Sequence, residues 1–301
     1  MANGTVLRRS VGTTACLLLT LGLAACDDDG TTPEGEVTLQ VLLTDAAAEY
    51  IAAAEVDIGA IELIGGPGGP VPLTLDGTDG MVNLLELQNE VTMVLADIEI
   101  EAGTYSQLRL IVENASVTLE DGLEFNGGGT SQVLIVPSGA QTGIKLNLSA
   151  VDGEGGGLAI TEDMVLVVDF DVNQSFVLLG NPLTPAGVEG VLFTPTLRVT
   201  VDDVSASIAG TVTTAVPDLD VSGMVVEAVP TEGTTLEPFQ SETATALVED
   251  DGTYAIYFLV PGEYTVSVDA GEGFTSEIVV VTVGAGEALA DIDLEVVEQG
   301  P

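Results

Sequence analysis

Few side chains in this sequence could do chemistry. Asp169 and Asp171 sit two apart at the end of a run, Met164 to Asp171, whose Val, Leu and Phe content predicts a β-strand. Their carboxylates therefore point to one face, about 7 Å from each other. With Asn173 just beyond, one reading makes the three residues oxygen ligands for Ca²⁺, a hard cation that takes about six to eight such ligands. The other pairs the two aspartates with Arg109 or Lys145, also on predicted strands, in a partly buried ion cluster that fixes strand register. No calcium loop of alternating acids around a central glycine accompanies the pair, which favours the ion cluster. Two carboxylates also serve glycosidases, but an aromatic content of 4% argues against a sugar-cleaving groove.

The chain as a whole sharpens these exclusions. Its 301 residues include 48 Asp or Glu, 5 Lys or Arg and no His, a formal charge of −43 at pH 7. Nucleic acid is excluded as a direct partner, because affinity for phosphate comes from Lys and Arg. Without imidazole, neither Ser/His/Asp nor Cys/His nucleophilic chemistry can be assembled. The expectation is a protein with no enzymatic activity, no catalytic residue and no cofactor apart from the Ca²⁺ reading. A hydrophobic fraction of 46% supplies real cores, unlike a disordered acidic tail, and the length suggests about two domains. So large a negative charge opposes compaction at low ionic strength, and salt relieves it. That fits a saline habitat, or a surface that recruits divalent cations to bridge to other anionic polymers.

The first 26 residues read as an address. Arg8 and Arg9 make a positive start, and Val11 to Ala25 is apolar or small, too short to cross about 30 Å of hydrocarbon as a helix. Residues 1–26 therefore read as a signal peptide. Its end, Leu23-Ala24-Ala25-Cys26, resembles the lipobox of bacterial lipoproteins. The resemblance implies a lipid on Cys26, a membrane reached through that lipid, and an extracytoplasmic location on the periplasmic or cell-surface face. Cys16 leaves with the leader, so no thiol remains for a disulfide. Arg8 and Arg9 leave as well, and 3 basic residues then face 48 acids, a balance of −45. Residues 27–35, opening Asp27-Asp28-Asp29-Gly30, form an acidic, polar tether.

From Glu36 the chain consists of short β-type runs between turn residues: Val37 to Leu43, Val56 to Ile64, Tyr105 to Val112, Ser131 to Val136, Ile144 to Leu148, Met164 to Asp171 and Val191 to Val201. Only Asp45 to Ala54, alanine-rich with Asp45 as a cap, predicts a short helix. No strands alternate with long amphipathic helices. The fold class is all-β: two antiparallel Greek-key β-sandwich domains in tandem, with one short helix in the first. The boundary falls near Asp202-Asp203-Val204, giving domains at 36–202 and 203–298.

In the second domain Asp251-Gly252 supplies the positive φ of a tight hairpin, and Pro261-Gly262 marks another turn. Tyr254, Ile256 and Phe258 then share one strand face, and Tyr264, Val266 and Val268 share another, as two inner faces of a core. This series, with Ile208-Ala209-Gly210-Thr211-Val212 before it, resembles the carboxypeptidase regulatory-like domain, a prealbumin-like sandwich grouped with carbohydrate-binding-like folds. The resemblance implies a spacer, stalk or accessory adhesion module.

The first domain resembles the domain-of-unknown-function 4382 family. The resemblance rests on Val41-Leu42-Leu43-Thr44-Asp45, Val82-Asn83-Leu84-Leu85-Glu86-Leu87, Ala102-Gly103-Thr104-Tyr105, Gly143-Ile144-Lys145-Leu146 and Val168-Asp169-Phe170-Asp171 in that order. Members are typically bacterial lipoproteins, and no activity comes with the name. The expected role is a structural, adhesive or ligand-binding part of the cell envelope, with envelope polysaccharide or other surface proteins as partners. Glycan binding and Ca²⁺-dependent surface binding are the alternatives. Ala102-Gly103-Thr104-Tyr105 echoes Pro261-Gly262-Glu263-Tyr264, and a tyrosine after such a turn can bond back to nearby backbone as a tyrosine corner does.

Overall fold

The computed structural model describes residues 35–299, apart from 47, 49, 77–80, 89, 137–141, 153–155, 183, 185, 232–240, 242 and 272. The expected leader, with Cys26, and the expected tether up to residue 34 lie outside the described residues.

Alternation of apolar and polar residues at period two builds two facing sheets from the first half of the chain. One runs β14 (Leu197–Val201), β11 (Met164–Asp171), β1 (Glu36–Ala46), β5 (Met93–Glu101). The other runs β3 (Val71–Leu73), β2 (Ile51–Ile64), β7 (Gln107–Leu119), β8 (Ser131–Leu134). β4 (Met81–Asn83) adds to β2, and β9 (Ile144–Asn147) adds to β7. Two short pairs accompany them, β6 (Gly103–Tyr105) with β10 (Leu158–Ile160) and β12 (Phe176–Asn181) with β13 (Gly187–Phe193). Leu39, Val41 and Leu43 of β1 and Leu166, Val168 and Phe170 of β11 share one core with Ile58, Ile61 and Leu63 of β2 and Leu108, Leu110 and Val112 of β7.

The second half forms a smaller sandwich. Its sheets run β18 (Thr253–Leu259), β15 (Ala206–Thr214), β23 (Leu294–Glu298), β20 (Phe274–Ser276), with β22 (Ala288–Leu289) against β15. The other runs β17 (Ala244–Leu247), β16 (Val225–Pro230), β19 (Gly262–Asp269), β21 (Val279–Val283). Ile208, Val226, Ala228, Ile256, Tyr264 and Val266 centre a second core. Only a 3₁₀ turn, Asp202–Val204, and its cap Ser205 separate the last core residue of the first module, Val201, from the first of the second, Ala206. Both modules lie within one compact unit, Thr32–Pro301.

The chain is thus all-β, two sandwiches in tandem, with three departures from expectation. The sheets are mixed: β1 runs parallel to β11, and β15 parallel to β22 and β23. A parallel pair needs a long crossover, and between β1 and β11 the entire second sheet of the module supplies it. Among the described residues no helix covers Asp45 to Ala54: β1 runs to Ala46, and β2 starts at Ile51 and buries Ile51, Ala54, Val56 and Ile58. Pairing with β7 overrides alanine's helical preference, and the helices whose bounds are described are single turns, α1 (Ser149–Asp152), α2 (Val172–Ser175) and two 3₁₀ turns. Finally, Phe258 leaves the face of Tyr254 and Ile256, and Leu259 is buried in its place.

Candidate functional site

β11 is buried on both faces, and the second face holds the chemistry. Leu166, Val168 and Phe170 enter the core, so Val167, Asp169 and Asp171 point the other way. Yet Val167, Asp169 and Asp171 are only 0%, 5% and 1% exposed. The second module closes over the two aspartates. Thr245 of β17 donates its hydroxyl to Asp171 Oδ2 at 2.9 Å, and the Ser241 amide donates to the Leu197 carbonyl at 2.8 Å.

Arg198 ties the same joint. It pairs across the ladder with Asp169, and its Nη2 donates to Asp169 Oδ2 in a buried ion pair. The guanidinium also faces the carbonyls of Phe258 and Tyr257 at 3.4 Å each. Two consecutive carbonyls can face one partner because β18 is bulged there: Ala206 pairs with Leu259 but Ile208 with Ile256, two residues in β15 against three in β18. Phe258 takes φ +53°, the left-handed region that a bulky side chain rarely adopts. The bulge that turns Phe258 out of its core thereby aims this backbone at Arg198.

Asp171 has a second duty. Its Oδ1 accepts from the Gln174 amide at 2.9 Å, capping the single turn α2, and its Oδ2 also accepts from Gln174 Nε2 at 2.8 Å. Asp45 caps this turn too, accepting from the Val172 amide at 3.1 Å. Burial, and after it the Asp169 charge, push the Asp171 carboxyl up to about 6; its bonds from Gln174 and Thr245 and the Arg198 charge pull the other way.

The expected cluster of Arg109, Lys145, Asp169 and Asp171 is corrected to Arg198, Asp169 and Asp171. Arg109 and Lys145 are ladder neighbours of each other in the opposite sheet, on β7 and β9, and Arg109 bonds Glu62 of β2 at 3.0 Å. The calcium set is corrected as well. Asp171 spends both oxygens on Gln174 and Thr245, Asp169 faces a guanidinium, and Asn173 is half-buried in α2. Among the described residues no three acidic, His or Cys side chains converge on a metal position.

A cleft of about 40 Å³ opens beside the ion pair, lined by Thr44, Asp45, Glu90, Asp169, Arg198, Thr245, Glu249 and Tyr257 among others. That holds about three waters, far less than an organic substrate. Arg198 was legible as one of few cations, on a strand whose alternation sends Leu197, Val199 and Val201 into the core and Arg198 and Thr200 away from it. Thr245 carried no signal, because nothing in its local sequence marks it as a partner for a carboxylate in the other module.

Three tyrosines are structural. Tyr105 and Tyr264 donate their hydroxyls to the carbonyls of Glu101 and Val260, each four residues back, at 2.6 and 2.7 Å. Tyr254 donates to the Ile292 carbonyl at 2.7 Å, and burial, then Asp293, raises its pKa. All three are buried, so their rings offer no stacking surface.

Fold and joint define a two-module β-sandwich protein whose modules are pinned by a buried polar cluster. Within that class, the profile of the family described as "Domain of unknown function (DUF4382)" matches residues 36–187, and the chain belongs to that family. No curated protein matches the sequence. Among solved structures, the chain is similar at 11% identity to the minor pilin GBS52 of Streptococcus agalactiae, covering 87% of this chain and 98% of that one with a TM-score of 0.24. It is similar at 8% identity to the shaft pilin SpaA of Lactobacillus rhamnosus GG, covering 89% and 99%, again with a TM-score of 0.24. For the Bacillus anthracis TIE protein the identity is 10% and the TM-score 0.24, with 88% of this chain covering 34% of that protein's length. Likenesses this loose carry no argument about function. Among the described residues no helix is long and apolar enough to cross a membrane.

Proposed function

We propose that this is a non-enzymatic, lipid-anchored protein of the bacterial cell envelope whose two modules work as one stiff structural or adhesive body. The observation that carries the reading is the joint. Arg198 binds Asp169 in its own sheet and faces the bulged backbone of the second module, while Thr245 reaches back to Asp171. A flexible string of modules would leave these charges in water; burying them makes sense where the angle between modules must hold. The second module is read as carboxypeptidase regulatory-like, acting as a spacer. The anchor rests on the lipobox ending at Cys26 and on the short apolar run before it.

Two measurements test this. Labelling cells with radioactive palmitate marks the wild-type band and leaves a Cys26→Ser band unlabelled; an unlabelled wild type overturns the anchor. Small-angle scattering of the purified chain at about pH 5 returns one interdomain distance; a broad distribution of distances there overturns the stiff body. Retention on polysaccharide columns would instead favour glycan capture.

A further inference from the structure

The joint contains more negative than positive charge, and no described cation is placed to correct it. Asp169 and Asp171 share one face of β11, both buried, with Arg198 of β14 as the guanidinium between them and the second module. The neighbouring elements add further acids. Asp45 at the end of β1 bonds to the first amide of α2, and Glu90 before β5 and Glu249 after β17 line the adjoining cleft. From β18 comes Tyr257, whose contribution is a neutral phenol and a carbonyl. Arg109 is occupied by Glu62, and Lys145 stands beside Arg109 in the opposite sheet.

A buried carboxylate beyond what its counter-charge can neutralise is costly. Water can relieve it if the modules part, and a proton can relieve it if they stay together. The hydrogen bonds at Asp171 suit the proton. A hydroxyl both donates and accepts, so Thr245 Oγ, now the donor to Oδ2, can accept from a protonated Oδ2. The Gln174 amide keeps its bond to Oδ1 in either state.

We propose that the joint is a proton-operated clasp: protonation of Asp171 tightens the second module onto the first, and ionisation loosens it. This rests on the reading of the modules as one stiff body and is independent of the lipid anchor. Burial and the Asp169 charge push the Asp171 carboxyl up to about 6, so the clasp responds to mild acidity.

The test is hydrogen exchange on the purified full-length chain, with the intrinsic pH dependence of exchange divided out. The reporter is the Ser241 amide, which donates across the joint to Leu197. Acidification from about pH 7.5 to about pH 5 is expected to raise its protection at least about tenfold in wild type, while core amides such as Val168 and Val266 stay as they were. In Asp171→Asn, protection is expected to be high at both pH values. Strong protection of Ser241 that ignores pH in wild type overturns the clasp alone, as does an Asn variant that keeps the wild-type pH response. No protection at either pH, with both cores protected, overturns the stiff body itself. A carboxyl carbon NMR titration of wild type guards against a variant that fails to fold: a midpoint for Asp171 in the ordinary carboxylate range overturns the clasp.

Discussion

Thr245 and Asp171 meet at 2.9 Å across the line between two hydrophobic cores, 74 residues apart in sequence. Replacing Thr245 by Val keeps the shape and removes the donor. The expected loss is about 1–3 kcal/mol by urea denaturation, because a buried carboxylate oxygen loses one partner. Thr245→Ser should recover most of it, since the hydroxyl is what matters.

Arg198 and Arg109 make a matched contrast. Both pair with a carboxylate, but the side chains of Arg198 and Asp169 are 8% and 7% exposed, whereas those of Arg109 and Glu62 are 31% and 30% exposed. Arg198→Met strands a buried carboxylate and is expected to cost about 3–5 kcal/mol. Arg109→Met is expected to cost about 1 kcal/mol or less. Combining Asp169→Leu with Arg198→Met should restore much of the loss, and chemical denaturation of all three variants measures it.

Asp171 reverses the usual dependence of stability on pH. Its folded value of about 6 lies above its ordinary 3.8, so the folded chain holds the proton more tightly than the unfolded one. Its contribution is therefore complete below the ordinary value, declines as pH rises through the window to about 6, and stays lost above it. The size is of order 2–3 kcal/mol. Subtracting the stability of Asp171→Asn from that of wild type isolates the effect, and the difference should fall as pH rises from about 4 to about 7.

Tyr105 and Tyr264 are equivalent pins in different modules. Each Tyr→Phe change leaves the packing and removes one bond to a carbonyl four residues back, for an expected loss of about 1–2 kcal/mol in chemical denaturation. Hydrogen exchange should place the weakening in the module that carries the substitution.

Charge repulsion predicts a salt response. With 48 acids against 5 basic residues, the thermal midpoint should rise with NaCl as the Debye length shortens toward about 8 Å. Since no three ligating side chains converge on a metal position among the described residues, CaCl₂ at matched ionic strength is expected to add nothing beyond MgCl₂. A calcium-specific shift would revive the binding reading.

Much of the architecture was legible in residue order because sandwich strands advertise themselves by alternation. Val37 to Leu43, Val56 to Ile64 and Met164 to Asp171 all lie within observed strands, and Asp251-Gly252 makes a tight turn with Gly252 at φ +86°, though the strands it joins, β17 and β18, belong to different sheets and form no hairpin. Both tyrosine corners could be anticipated from a Gly-x-Tyr pattern, since the bond spans only four residues. Local propensity misled at Asp45 to Ala54, where a long-range partner strand outweighed alanine's preference. It misled again at Phe258, where a bulge shifted the alternation by one.

Composition and spacing alone settled the all-strand class, the absence of imidazole chemistry and the placement of Asp169 and Asp171 on a common face, because each depends on residue type or on a period of two. Which cation meets those carboxylates, and that a second module closes over them, was decided by tertiary structure. Sheet order places Arg198 beside β11 and sends Arg109 and Lys145 to the opposite sheet, and pairing between strands distant in sequence leaves no trace in local pattern.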